Sequence, residues 1–370
     1  MMTETVKICR DEIPSLNGIR AVSVMIVFLS HAGFERFVPG GLGVTIFFFL
    51  SGFLITTLMI REYDRSGSID IPAFYVRRFF RLMPPLLITL VTAYGLTYAG
   101  LLPGNITLQG IAAQLLYFAN YLEIFFQGSE KIPTGTGVLW SLAVEEHFYI
   151  VFPVVMASAF ALVATKRSKI IVAAALCLAV LMWRSYLVYA LGVPEARTYY
   201  GSDTRIDSIV YGCILAFAMN GRVRDDRGDA TLSPLEWGVL IAAGLLMLTT
   251  FGVRDPQFRE TLRYSLQGIA LLPFFYLAVT RHRSWVFRIL NASVVIKLGI
   301  YSYSIYLIHR VIIVMLADNV PALQQHMVLL AAISFICSIG FAAVIDQYVD
   351  GRIRRRRQDL HLRPQVMIAH

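Results

Sequence analysis

The chain has 370 residues, of which 57 % are hydrophobic and 15 % charged, and its formal net charge is +9. The mean hydropathy of +0.63 comes from repeated apolar runs of about 20 residues, which exclude an ordinary soluble domain and indicate a polytopic helical membrane protein. The basic residues lie mainly in the short connections between these runs, so the positive charge reports membrane orientation and does not indicate nucleic-acid binding.

Ten apolar windows are long enough to cross a bilayer as helices. They are residues 15–33, 41–60, 79–99, 138–164, 169–191, 205–220, 235–252, 264–280, 294–317 and 327–349. An eleventh segment, 108–127, is less apolar because it carries Gln114, Asn120 and Glu123. The windows predict an all-α, polytopic bundle of about ten transmembrane helices.

Charges in the connections decide whether segment 108–127 crosses the membrane. If it does not, the strongly basic connections all fall on the same side as Lys7 and Arg10. These connections are residues 61–81, 166–169, 222–227, 281–288 and 352–357. Because positive loops stay in the cytoplasm, the pattern predicts ten crossings, both termini cytoplasmic, and a re-entrant or interfacial 108–127. The loop 254–263 is the exception, since it leaves three arginines outside.

The sequence predicts one membrane domain with short flanks. We expect a cytoplasmic segment at 1–13, a transmembrane domain at 14–350 and a basic cytoplasmic tail at 351–370. The longest non-apolar connection has about 20 residues, too few for a second core. The four cysteines are scattered without metal-ligand spacing, so neither a disulfide framework nor a metal site is predicted.

Arg20 and His31 lie eleven residues apart in the first span. At about 100° per residue this is close to three helical turns, so both side chains share one face about 16 Å apart. Ionisable groups at membrane depth are costly and indicate a functional site. The alternative is a helix that starts late, with Arg20 snorkelling to the surface. Arg20 would lie near the cytoplasm and could hold an anionic cofactor with a long reactive arm. The tip of that arm would reach His31, which could act as a general base.

The segment before the third span adds cationic side chains at the same membrane face. Arg77, Arg78 and Arg81 precede a run that opens with Pro84 and Pro85. Arg78 and Arg81 are three residues apart and form one cationic edge on a helix. The planar guanidinium fork suits phosphate, as in a diphosphate. The alternative is ordinary positive-inside anchoring.

Glu145 lies inside the apolar run of the fourth span, one turn after Ser141 and one turn before Tyr149. A carboxylate within a bilayer must find a partner or take up a proton. Two roles stay open: it orients a catalytic histidine or orders an arginine, or it is a structural partner for an arginine such as Arg205. His147 is offset from Glu145 by about 200° and is expected to face elsewhere.

Two later segments carry further candidates. Arg205 and Asp207 open the sixth span near its predicted outer face, where they would line a substrate mouth. His309 lies in the ninth span among serines and tyrosines, where a catalytic and a packing role fit equally.

Six segments, taken in order, resemble the acyltransferase family 3 of membrane-bound acyltransferases. They are Arg20-x10-His31, GGLGVTIFFFLSGFL, FYVRRFFRLMPP, WSLAVEEHFYIVFP, the Arg205/Asp207 segment and SYSIYLIH. Together they extend from residue 14 to about 349, nearly the whole chain. Each is weak alone, and their order is what makes the resemblance specific.

The resemblance implies O-acyl transfer, usually of acetyl, from cytoplasmic acyl-CoA to a hydroxyl of a carbohydrate or glycolipid, without a metal. It implies that His31 is catalytic and that Arg20, Arg78 and Arg81 act on the CoA phosphates. Glu145 falls within a signature motif of the family. The implied setting is the bacterial inner membrane, in contact with lipids and with glycan-assembly proteins as partners.

Two mechanisms fit these residues equally. His31 either deprotonates the acceptor hydroxyl or carries the acyl group itself. No oxyanion donor is identified, and Trp140, Ser141 and Tyr149 are candidates by proximity in the sequence alone. Some family members carry an extra extracytoplasmic hydrolase-like domain. This sequence ends in a basic tail, so we expect transfer at the membrane site or through another protein.

Alternative functions remain open at this point. Intramembrane Arg, Glu and His side chains would also serve a transporter or exporter of a glycan or anionic solute. The lack of internal symmetry speaks against that class. For an acyltransferase, the acceptors left open are lipopolysaccharide, exopolysaccharide, a lipid-linked intermediate, a Nod-factor-like oligosaccharide and a glycosylated small molecule.

Overall fold

The computed structural model describes residue 13 and residues 15–162, 165–220 and 231–350. Ten long helices match the ten predicted spans and are labelled in chain order. They are α1 Leu16–Leu29, α2 Gly40–Ser66, α3 Ile71–Tyr98, α4 Trp140–Leu162, α5 Lys166–Tyr189, α6 Ser202–Met219, α7 Pro234–Gly252, α8 Leu262–Thr280, α9 Ser293–Asn319 and α10 Met327–Ile345.

Length and composition support the predicted all-α, polytopic class. Within the described ranges, nine helical segments are long and apolar enough to cross a membrane. The remaining long helix, α6, has 18 residues and carries Asp203, Arg205 and Asp207. It lies against α2, α5 and α8, and Arg205 and Asp207 are enclosed by other helices, whereas Asp203 is half-exposed.

Segment 108–127 folds as two helices of 8 residues each, Leu108–Leu115 and Ala119–Phe126. The chain breaks between them at Tyr117, whose φ is 60°. Eight helical residues reach about 12 Å, less than half of the roughly 30 Å hydrocarbon core, so neither helix can cross. The helix lengths agree with the prediction that this segment does not cross the membrane, and its re-entrant or interfacial placement stays a prediction.

Short helical turns connect the long helices. They are the α-helical segments Glu195–Tyr200, Pro256–Glu260, Trp285–Arg288 and Pro321–Gln324, the 3₁₀ turns Gly128–Lys131, Thr136–Leu139 and Ile289–Asn291, and the π-helical turns Ser30–Phe34 and Asp346–Asp350. The turn Ser30–Phe34 continues α1 and contains His31, and the helix ends where Gly33 adopts a φ of 100°. Such π turns are frequent at functional sites.

The most extensive contact between two described helices is that between α2 and α6. A side chain added at Gly52 would overlap the backbone of Ile209, and one added at Gly212 would overlap the backbone of Phe49. Small residues at these positions let the two helices approach closely. Around this pair, α1 packs on α2 and α9, and α10 packs on α9.

A side-chain cap sets the start of the helix that carries the predicted arginine edge. The Asp70 carboxylate accepts a hydrogen bond from the Ala73 backbone N–H at 2.9 Å, and Pro72 occupies the first turn of α3. Both features favour a helix start at this point. Arg78 and Arg81 then follow two to three turns later on the same helix.

Part of the orientation argument lies outside the described residues. This applies to Lys7, Arg10, the basic stretch 222–227 and the tail 351–370. The assignment of the cytoplasmic side therefore stays a prediction.

Candidate active site

A cavity of about 120 Å³ lies where α1, α2, α3, α4 and α9 meet. We call it the arginine cavity. Its polar lining consists of Arg20, Ser51, Arg78, Arg81, Ser141, Glu145, Tyr149, Ser302, Tyr303 and Tyr306. The three arginines and the glutamate predicted from separate segments of the sequence thus line one space.

The arginine cavity carries an excess of positive charge. Three arginines line it against the single carboxylate of Glu145. Glu146, beside the cavity, lies 3.7 Å from Arg78 Nε, so even with this second carboxylate the cations are in the majority. In a low-dielectric pocket such an excess attracts an anion. The cavity is therefore a candidate site for a phosphate-bearing ligand.

Arg78 is held by its neighbours in a fixed position. Its guanidinium carbon lies 3.0 Å from the ring centroid of Tyr149, a stacking contact that arginine favours. The Tyr149 hydroxyl donates a hydrogen bond of 2.9 Å to the Glu145 carboxylate one turn away. Arg78 Nε is buried and makes no hydrogen bond within the described part of the chain. Its nearest carboxylate is that of Glu146, at 3.7 Å.

Arg20 and Arg81 complete the cationic wall. Arg20 lies in the second turn of α1, where its Nη1 is 3.5 Å from Asn17 Oδ1. Its charged neighbours include Arg81, Glu145 and Arg78. Arg81 is the exposed member of the three, which places it at the mouth of the cavity.

The structure pairs His31 with His309. The distance from His31 Nδ1 to His309 Nε2 is 2.8 Å, and the two ring planes are inclined by 22°. Neither histidine lines the arginine cavity. We call these two residues the histidine pair.

Tyr306 connects the histidine pair with the arginine cavity. Its ring lies 5.8 Å from that of His309, centroid to centroid, and it also lines the cavity. Its hydroxyl lies 2.6 Å from Ser141 Oγ and 3.0 Å from the Val138 carbonyl oxygen. The two regions are thus separated by a single hydrogen-bonded side chain.

Glu145 contacts arginines, which both of its predicted roles allow, so its role stays a prediction. Its neighbours are Tyr149, Ser51, Arg78 and Arg20, and it makes no contact with the histidine pair within the described residues. The pairing with Arg205 that the sequence left open is not formed.

Arg205 and Asp207 do not line a mouth, in contrast to the sequence-based expectation. Both are fully buried, with an exposed fraction of 0 %. Asp207 accepts hydrogen bonds of 3.0 Å from Arg184 Nη2 and from Ser265 Oγ. A charge within the bundle is stable when it is paired in this way, which explains the burial.

Arg205 sits among aromatic rings. Its guanidinium carbon lies 4.0 Å from the Tyr264 ring centroid and 5.8 Å from that of Trp140. It donates hydrogen bonds to the Tyr199 carbonyl and to Thr45 Oγ1. Trp140 is therefore one of the aromatic residues around Arg205 and does not line the arginine cavity.

His147 faces away from Glu145, as its angular offset predicts. Its Nδ1 lies 2.7 Å from Ser202 Oγ. It contributes to a second, largely apolar groove of about 350 Å³ between α4, α5 and α6.

Sequence reasoning missed Glu146 and Arg184. Glu146 is adjacent to Glu145, and its contact with Arg78 follows only from the rotation of α4. Arg184 was visible as a charge inside the fifth predicted span, which is itself a signal for a paired or functional group.

Together, the ten long helices and the buried charged groups define a polytopic helical membrane protein with a cationic cavity. A family model described as "Acyltransferase domain" matches residues 13–346. The chain therefore belongs to this acyltransferase family, and the resemblance drawn from the six segments is confirmed.

Two curated relatives show how far the similarity extends. Peptidoglycan O-acetyltransferase OatA of Listeria monocytogenes is 30 % identical over 360 residues, covering 92 % of this chain and 56 % of the relative. O-acetyltransferase OatA of Staphylococcus aureus (strain NCTC 8325) is 29 % identical over 353 residues, covering 93 % and 57 %. The chain thus spans about half the length of these relatives. No solved structure matches it.

Proposed function

We propose that this chain is a membrane-embedded O-acyltransferase that moves an acyl group, most simply acetyl, from cytoplasmic acyl-CoA to a hydroxyl of a carbohydrate. The observation that carries this proposal is the arginine cavity, whose lining contains Arg20, Arg78 and Arg81 and a single carboxylate, that of Glu145. Family membership supplies the reaction class.

The charge of the arginine cavity supports acyl-CoA as the donor. Guanidinium forks bind phosphate oxygens in pairs, and a diphosphate offers several of them. A volume of about 120 Å³ is far too small for the whole of CoA. The nucleotide would stay at the cytoplasmic mouth near Arg81, while the slender pantetheine arm enters beside Arg20 and Glu145.

The chemistry we assign to His31 is the transfer of the acyl group at the far end of α1. As a base, His31 takes the proton of the acceptor hydroxyl, whose oxygen attacks the thioester carbonyl. The new C–O bond forms, the C–S bond breaks, and the leaving thiolate receives the proton. As a nucleophile, His31 would first carry the acyl group itself.

The acceptor we favour is a cell-surface or lipid-linked carbohydrate. The Listeria relative is named for peptidoglycan O-acetylation, which supports a glycan acceptor without identifying it. We assign residues 14–350 as the transmembrane acyltransferase unit in a bacterial inner membrane, with both termini cytoplasmic. Glycan-assembly proteins would supply or receive the acceptor.

Mass spectrometry of surface glycans and glycolipids tests this function. Cells with the wild-type chain, a deletion, His31→Ala, and the control His326→Ala are compared, since His326 is exposed in a connection and does not line the cavity. We expect a mass difference of one acyl group that is lost in the deletion and in His31→Ala and retained in the control.

The donor is identified in inside-out membrane vesicles that receive acetyl-CoA labelled in its acetyl group. We expect the label in an alkali-labile ester of a glycan. An unchanged glycan profile, with the protein present in the membrane at normal abundance, contradicts the proposal and favours a transporter.

A further inference from the structure

The hydrogen-bond partners of His309 fix the proton on its ring. His309 Nδ1 lies 2.8 Å from the Tyr306 carbonyl oxygen and 3.2 Å from that of Ile305. A carbonyl oxygen only accepts hydrogen bonds, so Nδ1 must carry the proton. These two carbonyls belong to the preceding turn of α9, so the rigid helix itself selects the tautomer.

His309 is held in the neutral form by its surroundings. Its exposed fraction is 0 %, and none of its contacts within the described residues is a carboxylate. A buried imidazolium without a counter-charge is costly, so the His309 ring is neutral. A neutral imidazole has one N–H, so His309 Nε2 presents a lone pair to its partner.

The contact between the two rings then fixes the proton of His31. The nitrogens are 2.8 Å apart, whereas the ring centroids are 5.1 Å apart with planes inclined by 22°. The rings therefore meet edge to edge, with the hydrogen bond along the lone pair of His309 Nε2. His31 Nδ1 must be the donor, which leaves the lone pair of a neutral His31 on Nε2.

We propose that His309 is a positioning residue that holds His31 in its Nδ1-protonated tautomer, so that His31 Nε2 is the reacting atom. This inference rests on the proposed acyltransferase function. It applies to both routes, because a base and a nucleophile need the same free lone pair. A histidine oriented by a second group, itself fixed by backbone carbonyls, follows the logic of catalytic triads.

The pair also accommodates the proton that the reaction moves. When the acceptor O–H bond breaks, its proton binds His31 Nε2, and the Nδ1–H of the resulting imidazolium still donates to His309 Nε2. The proton then passes to the thiolate that leaves when the thioester C–S bond breaks. Phe28, 2 % exposed, lies against the His309 ring and excludes water from that side.

Nitrogen-15 NMR of histidine-labelled protein in nanodiscs tests the tautomer directly. His31→Ala and His309→Ala assign the two rings in the spectra. We expect His31 to carry its proton on Nδ1 in the wild-type chain at neutral pH. In His309→Gln, the amide oxygen takes the place of Nε2 and preserves this tautomer. In His309→Asn, the shorter amide cannot reach His31, which should shift to the Nε2-protonated form that isolated imidazoles prefer.

The activity of the His309 variants should depend on the tautomer of His31 and not simply on the loss of the His309 ring. Transfer of labelled acetyl in vesicles is expected to fall less than about tenfold in His309→Gln and on the order of 100-fold in His309→Asn. Equal abundance and thermal stability of these two polar variants show that folding is not the cause. Equal activity of the two variants would overturn the inference.

The two measurements separate this inference from the function on which it rests. The NMR experiment needs no acceptor, so an inactive wild-type chain with the expected tautomer overturns only the proposed function. An active wild-type chain whose His31 is protonated on Nε2 overturns only the role of His309.

Discussion

Two groups of arginines occupy different parts of this bundle and are arranged in opposite ways. Arg184 and Asp207 form an ion pair of 3.0 Å in which both side chains have an exposed fraction of 0 %. Arg20, Arg78 and Arg81 instead line a cavity and outnumber the carboxylates near them. Charge at membrane depth is common to both. Only the second group combines excess charge with space for a ligand.

The Arg184 group is internally satisfied. The Arg184 guanidinium donates to the Thr261 and Thr204 carbonyls, to Ser265 Oγ and to Asp207. These partners lie on α6, on α8 and in the connection before α8, so one side chain of α5 ties three parts of the bundle together. A buried charge with four hydrogen bonds and a counter-charge is a structural element, although a charged residue inside a span also indicates a functional site.

Breaking the Arg184–Asp207 pair should have the largest effect on stability. Asp207→Asn leaves the Arg184 charge buried without its counter-charge, and we expect the free energy of unfolding to fall by about 3–5 kcal/mol. Denaturant titration of the purified protein, followed by circular dichroism, measures this change. The matched control is Asp203→Asn on the same helix.

Asp203 pairs with Arg197 at a half-exposed position, where side-chain exposed fractions are 17 % and 35 %. Its loss should cost about 1 kcal/mol or less. If Asp207→Asn kept full stability but abolished acyl transfer, the Arg184 group would belong to the catalytic machinery and the comparison would fail.

Removing cavity arginines should weaken donor binding. In the double variant Arg78→Ala with Arg81→Ala, we expect the Kd for acetyl-CoA to rise by about 100-fold or more, because each charge-assisted contact contributes roughly 1.5–3 kcal/mol. Isothermal titration with acetyl-CoA measures the change. Acceptor binding should change less.

Arg77→Ala is the control for this prediction. Arg77 lies next to Arg78 on α3 but outside the cavity lining, in an exposed ion pair of 3.3 Å with Glu62. Its removal should change the Kd by less than about twofold. Equal losses in the control and in the double variant would indicate general membrane-surface electrostatics and contradict a phosphate site.

The last prediction concerns which end of the bundle faces the cytoplasm, and the variants that test it perturb the protein least. Glu130→Cys and Ser68→Cys introduce thiols at exposed positions in connections on opposite ends of the bundle, with Cys9 and Cys337 replaced by serine. An impermeant maleimide should label the first in intact cells and the second only after the membrane is opened. The reverse pattern would put the arginine cavity outside, out of reach of cytoplasmic acyl-CoA.

Local properties of the sequence were enough to predict the membrane spans and the types of residue that form the candidate site. Each predicted span is a long helix in the structure. The spans were predictable because apolar length and loop charge can be read from neighbouring residues alone. The spacing of Arg78 and Arg81 likewise predicted a shared cationic edge on α3, and both residues line the cavity.

Pairing between distant segments was beyond sequence reasoning. The sequence left Arg205 as an alternative partner of Glu145, yet packing placed Arg78 and Arg20 beside it. His31 and His309 are separated by 278 positions in the chain, and no local pattern links them. Which buried charges are paired, and which face a cavity, depends on how each helix is rotated against its neighbours. That rotation is set by contacts such as those of Gly52 and Gly212, which only the tertiary structure contains.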